Sequence, residues 1–247
     1  MPADARPEQG PDGTPSEARY RDGTYLSSNP SWHAEDSAWK ARQVLGMLRR
    51  HGVAPRTVAE VGCGAGEVVA ELARHLTSAE FVGYDVSHDA QAFWAARASD
   101  RVDFRLADFT GVDAHYDLLL CLDVFEHVED YFGFLRAIHG RADRAVFHIP
   151  LDICILNIVM GGIMGARQSV GHLHYFTVES ALATLADCGY DILDWRYTTL
   201  RKDEPRLSAK GRALLRSRRL LNSVSPDWGQ RILGGIGHRH ADVGLAG

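Results

Sequence analysis

The segment Glu60-Val-Gly62-Cys63-Gly64-Ala-Gly66-Glu67 has the residue types and spacing of a ligand-holding turn. Gly62 permits a tight exit from a strand, Gly64 lets a ligand approach the backbone, and Gly66 lets the following helix pack closely on its strand. The glycines alternate as G-x-G-x-G, with an acid two residues ahead of the first. That short turn, with Cys63 inside it and Glu60 beside it, suits a ligand carrying a cationic amine rather than a pyrophosphate. Tight packing alone would use the same glycines. Asp85 follows about 20 residues beyond the turn, where an acid accepts hydrogen bonds from ribose hydroxyls, and Val86 comes next. Asp108-Phe109 is a second acid with an apolar neighbour, and Asp108 is equally suited to capping a helix. Asp123-Val-Phe-Glu126-His127-Val and Gly171-His172-Leu-His174-Tyr-Phe-Thr177 bring together further titratable groups.

These residues need a frame that places them at one end of a sheet. Apolar runs at 57–62, 81–85, 102–107, 116–122, 144–149 and 190–197 read as strands, and helical spacing lies between them at 67–76, 87–98, 130–139 and 177–188. Leu118-Leu-Leu-Cys-Leu122 is apolar at every position, as a central parallel strand buried on both faces is. Strand–helix alternation at this rhythm predicts an α/β fold with a doubly wound, mostly parallel sheet and right-handed crossovers. Ligands of such sheets sit at the carboxyl ends of the strands, so the loops above converge there. Residues 37–50 read as an amphipathic helix leading in. Residues 151–176 break the rhythm as an insertion after strand five, placed to roof the site as a lid.

Taken in order, the motifs resemble those of class I S-adenosylmethionine (SAM)-dependent methyltransferases. The glycine turn resembles their motif I. The segment Asp123–Val128 resembles the D-V-L-E-H-V stretch of the small-molecule group that includes ubiquinone and menaquinone methyltransferases, with Phe125 in place of Leu. Gly171–Thr177 resembles their G-H-x-x-x-[FY]-[ST] segment. The resemblance implies a Rossmann-like domain over 57–197, a sheet of about seven strands, and SAM as cofactor. It places Glu60, Gly62, Cys63, Gly64 and Gly66 at the amino-acid end of SAM, Asp85 and Val86 at the ribose, Asp108 and Phe109 at the adenine, and Asp123 beside the sulfonium. N-terminal segments in this family fold over the cofactor, so Tyr25 and Trp32 are candidates to close the pocket; aromatic packing is the alternative. An N-P-P-Y-type motif is missing, which disfavours amino-methylation of nucleobases or glutamine. Residues 232–243 are rich in glycine, which puts the family's last strand in doubt.

Methyl transfer from SAM needs an acceptor aligned with the methyl and, for a hydroxyl or ammonium, a base. Histidine, with an ordinary pKa near 6.5, suits that role. His127, His172 and His174 are the candidates. His148, on strand five, reads more readily as a core histidine. In extended chain His172 and His174 point to the same side, which predicts two imidazoles facing the acceptor. H-x-H is also a metal spacing, but no third ligand stands at a defined distance, so no metal is expected. The alternative function on this fold is an enzyme that does not transfer methyl: one that cyclises the SAM side arm, or catalyses elimination or ring closure on a carrier-bound substrate.

With 247 residues, 45% apolar and 24% charged, the chain is ordinary for one globular unit, and its net charge of −5 offers no general attraction to nucleic acid. Cys63, Cys121, Cys154 and Cys188 form no C-x-x-C pair and read as reduced thiols in a cytoplasmic protein. The most apolar run, 153–166, is shorter than the roughly 20 residues a membrane span needs. Residues 1–24, rich in proline, are expected to be disordered, 25–56 to form a helical cap, and 198–247 a basic helical stretch and tail. Residues 201–219 hold eight Lys or Arg against Asp203 and Glu204. They read as a solvated face or as a dock for an acidic partner such as a carrier domain. The insertion serves equally as a lid over a small-molecule acceptor, an extra core helix, or a homodimer surface.

Overall fold

The structure is a computed structural model that describes residue 32 and residues 34–198, 216–217, 220–233 and 240–246. Tyr25, the segment 1–24, and most of the basic 201–219 stretch lie outside the described residues. The core alternates as the sequence rhythm requires: α1 (Ala34–His51), β1 (Thr57–Val61), α2 (Glu67–His75), β2 (Glu80–Asp85), α3 (His88–Gln91), β3 (Val102–Leu106), β4 (Tyr116–Leu122), α4 (Tyr131–Ile138) and β5 (Ala142–Pro150). Helices α5 (Ile155–Met160) and α6 (Gly162–Ser169) follow. Then come α7 (Val178–Asp187), β6 (Asp191–Tyr197), α8 (Pro226–Leu233) and β7 (His240–Ala246). Strands β1 to β5 pair in parallel in the order β3-β2-β1-β4-β5. At the far edge the backbone of β7 runs antiparallel between β5 and β6.

The apolar run in β4 is explained by burial on both faces. Leu118, Leu120 and Leu122 pack in the cluster with Val44 and Leu48 of α1 and Leu72 of α2, whereas Leu119 and Cys121 pack in the other with Leu135 of α4 and Leu185 of α7. Local sequence sets several element ends. Asp130 accepts the N–H of Gly133, and Thr177 and Ser180 form a capping box at the start of α7.

One expectation needs correction. The single helix predicted over 87–98 is a short α3 and a 3-10 turn at Trp94–Ala96, and Ser87 makes no side-chain cap. That break turns the indole N–H of Trp94 onto the carbonyl of Gly64 at 2.8 Å. In the insertion, Ile155, Ile158, Val159, Met160 and Met164 are exposed. Among the described residues no helix is long and apolar enough to cross a membrane.

Candidate active site

A cavity of about 660 Å³ opens at the carboxyl ends of β1, β2, β3 and β4. Its floor is the glycine turn. Gly62, Gly64 and Gly66 have φ of 69°, 53° and 78°, which L side chains rarely adopt. At Gly62 and Gly66 a neighbour also leaves no room for a larger residue, and at Gly64 the fit is tight. A Cβ on Gly62 would sit 2.6 Å from Val124 Cγ2, and one on Gly64 3.3 Å from the ring of Trp32. Gly66 does not line the cavity; a Cβ there would meet Phe104 Cζ of β3 at 2.6 Å. Its place is the helix–strand contact that the spacing implied.

Asp85 ends β2 with one carboxylate oxygen accepting the N–H of Gly64 and the other that of Ser87, both at 2.8 Å. A carboxylate has about four acceptor sites, so these bonds leave acceptor capacity for a ligand in the cavity. Burial raises the pKa of Asp85, and the N–H groups of Ser87, Gly64 and Val86 oppose that rise. Glu60 is buried more deeply, and burial pushes its carboxyl up to about 8 against the opposing pull of Lys40. Glu60 accepts the N–H of Val69 at the start of α2, yet its Oε2 has no hydrogen-bond partner among the described residues. A buried oxygen of this kind in a cavity wall is matched by a cationic donor. Val86, Asp108, Phe109 and Cys63 also line the cavity. Asp108 caps the 3-10 turn 109–111 through Thr110, and Phe109 is a core residue against Tyr84, with ring centroids 5.0 Å apart.

Sequence reading missed Lys40. It reaches from α1 into the cavity wall and its Nζ lies 2.6 Å from Asp123 Oδ2. The other oxygen of Asp123 faces His148 Nδ1 at 2.8 Å, and Asp123 itself has φ of 59°. Asp123 is thus held by two side chains, and it sets the position of Lys40. Burial lowers the pKa of Lys40; Asp123, with Glu60 and Asp36 beyond it, more than reverses this and holds it above its ordinary value. The only signal available beforehand was a lysine on the inner turn of a predicted helix, which is too common to single out.

The predicted histidines separate. His127 and His172 both line the cavity, in edge contact with ring centroids 4.9 Å apart. His127 Nδ1 lies 3.2 Å from the carbonyl of Gly171, and His172 Nδ1 lies 2.6 Å from Asp152 Oδ2. His174, expected on the same side as His172, instead has Nε2 against the carbonyl of Val128 at 2.9 Å and its ring against Tyr131. The backbone at 171–174 is not a regular strand: Gly171 has φ of 88°, and the N–H groups of Leu173 and His174 both donate to the carbonyl of Glu126. Alternation therefore does not apply there. Glu126 is wholly buried, which drives its carboxyl well above the ordinary range, with Asp123 and Asp152 adding to the rise.

Residues 59–143 match the family model described as a methyltransferase domain. Over these residues the chain is similar to that domain. A ubiquinone biosynthesis O-methyltransferase of Nitrosospira multiformis is 29% identical over 101 residues, covering 38% of this chain. The match spans 41% of that relative's length. Among solved structures, magnesium protoporphyrin IX methyltransferase of Synechocystis PCC 6803, with bound S-adenosylhomocysteine (SAH), superposes with a TM-score of 0.61 at 16% identity. That match covers 94% of this chain and all of the other. A putative sarcosine dimethylglycine methyltransferase of Galdieria sulphuraria superposes at 0.60 and 14% identity, covering 91% and 97% of the two chains. The fold is thus shared with these structures, and the glycine turn, Asp85, Asp108 and Asp123 all fall within the residues that match the family model.

Proposed function

We propose that the protein is a SAM-dependent methyltransferase that moves a methyl group to an atom of a small-molecule acceptor. The observation that carries this reading is the pairing of Glu60 and Lys40 beside a glycine cradle and Asp85. An amino-acid end needs an anion for its ammonium and a cation for its carboxylate; Glu60 Oε2 and Lys40 supply them. The cradle approaches the ligand through main-chain atoms, and Asp85 has the acceptor capacity for a ribose. Asp108 and Phe109 stand at the adenine end, and Trp32, over Gly64, covers the turn. When bound, SAM supplies a methyl already activated on a positive sulfur. The chain's own residues bind, orient and exclude water. His127 and His172 face the acceptor region, and His174 secures the loop that carries His172. The non-transferring alternative is disfavoured by the methyltransferase family model and the O-methyltransferase relative.

Incubation with SAM and a panel of hydroxylated aromatic and polyketide-like acceptors tests the reaction. The expected outcome is SAH with an acceptor heavier by about 14 Da, the mass of a methylene, since the cofactor carries the transferable group. Release of methylthioadenosine, or no turnover with any acceptor and no SAH binding, would sink the reading.

Glu60 gives a second test. Its carboxyl, raised to about 8, is mostly protonated in the free protein at pH 7. Folded Glu60 binds its proton more tightly than the unfolded chain does, so stability falls as pH rises from its ordinary 4.5 towards 8. An ammonium docking on Oε2 favours the carboxylate. Binding of SAH at pH 7 is therefore expected to release close to one proton, read from calorimetry in buffers of different ionisation enthalpy. Glu60→Gln should abolish the release; the same heat in every buffer for the unaltered protein would count against the assignment.

A further inference from the structure

We propose that Glu126, His127 and His172 form a binding site for a divalent transition-metal ion of the zinc class, opening onto the acceptor end of the cavity. The role towards an acceptor rests on the methyltransferase reading; the ion site itself rests on geometry. One ligand atom from each of the three residues lies within 4.8 Å of the other two. Glu126 is 0% exposed, and neither of its carboxyl oxygens has a hydrogen-bond partner among the described residues. Its Oε1 faces His127 Nε2 at 3.8 Å. A buried carboxyl whose two oxygens lack hydrogen bonds is costly, and a cation held by all three groups removes that cost.

The arrangement around the two imidazoles fits ligation. Asp152 and the Gly171 carbonyl can only accept at His172 Nδ1 and His127 Nδ1, so each ring carries its proton there and presents Nε2 as the ligating nitrogen. A metal-bound histidine ordinarily has its other nitrogen held by a carboxylate or a carbonyl, which sets tautomer and orientation. Both kinds of support are present. The charged groups acting on Glu126 include Asp123, Asp152 and Lys40, so negative charge predominates where the ion would sit. Two imidazoles and one carboxylate are a set that zinc takes with a fourth position open. Bonds of about 2.0–2.2 Å in a tetrahedron space the ligand atoms about 3.4 Å apart, so the three side chains close by roughly an ångström on binding. Because His127 and His172 line the cavity, the fourth position faces an acceptor. A hydroxyl or enol oxygen is the class of acceptor that such an ion would bind and acidify.

H-x-H spacing pointed to His172 and His174, but His174 is turned away and the third ligand comes from the segment after β4. The test uses the full chain, stripped with chelator and titrated with Co²⁺. The expected result is one equivalent bound, with the visible absorption of a four-coordinate ion, displaced by Zn²⁺. Glu126→Gln and His172→Ala should each abolish the band. Asp152→Asn, which keeps all three ligands, should weaken binding about 10- to 100-fold and settles the matter if the others fail to fold. His238→Ala/His240→Ala in the tail should leave the band unchanged. Lack of a band at 1:1 to millimolar Co²⁺ (on the order of the weakest specific sites), or a band that survives Glu126→Gln and Asp152→Asn but not the tail change, overturns the proposal. SAH binding measured alongside separates the two readings: with SAH bound but no metal, only the ion site falls; with metal bound but no SAH, the methyltransferase reading falls.

Discussion

Asp85→Ala is expected to weaken SAH binding at least about 100-fold, because it removes charged hydrogen bonds worth about 1.5–3 kcal/mol each. The structure makes the expected loss larger than a ribose contact alone would. Asp85 accepts the N–H of Gly64, so it also fixes the turn that forms the cavity floor. The substitution leaves the N–H groups of Gly64 and Ser87 to find other partners while the strand that carries Asp85 keeps its ladder with β1 and β3. Circular dichroism should remain that of the folded protein. Asp85→Asn supplies the comparison: it keeps the shape and one acceptor oxygen, so it should bind SAH with an intermediate affinity. Calorimetry that found Asp85→Ala as tight as the unaltered protein would remove the ligand role from this acid.

Gly66→Ala is expected to lower stability by about 2–5 kcal/mol. The left-handed backbone at Gly66 costs an L residue about 1–2 kcal/mol, and crowding of Phe104 adds about 1–3. Phe104 has little freedom to retreat, because it stacks on Trp94 with ring centroids 5.6 Å apart, and Trp94 holds the carbonyl of Gly64. For a chain of this size the loss is a fall in Tm on the order of 10 °C. Phe104→Leu in the Gly66→Ala background should recover part of it, since the clash is with the ring edge. SAH should still bind the folded fraction, because Gly66 faces β3 and not the cavity. An unchanged Tm would show that the strand and the turn have slack that the geometry does not suggest. The two substitutions together separate the ligand-facing acid from the packing glycine within one motif.

Glycine and acid spacing determined a good deal by itself. Periods of two and of about 3.6 in apolar residues are local properties of strands and helices, so β1 to β5 and their order along the chain were legible from 57 to 150. The unbroken apolar run in β4 announced a strand covered on both sides. G-x-G-x-G followed by Asp85 located the cavity, because a parallel sheet brings the ends of β1 and β2 together whatever the rest of the chain does.

Only the tertiary structure decided the polar partners. Lys40 meets Asp123 across more than 80 residues of chain, and Asp152 meets His172 across an insertion, so no local spacing marks either pair. Period-two logic failed at His172 and His174 because the chain there is bent by Gly171 and tied to the Glu126 carbonyl. The apolar insertion reads equally as a lid, an extra core helix or a dimer surface because its composition is apolar. Composition reports how much surface wants burial, while the packing of helices α5 and α6 decides which side chains reach it, and Ile155, Ile158, Val159, Met160 and Met164 are exposed. Side-chain pairing across a sheet depends on rotamers and on the angles at which helices dock, and a one-dimensional pattern carries neither.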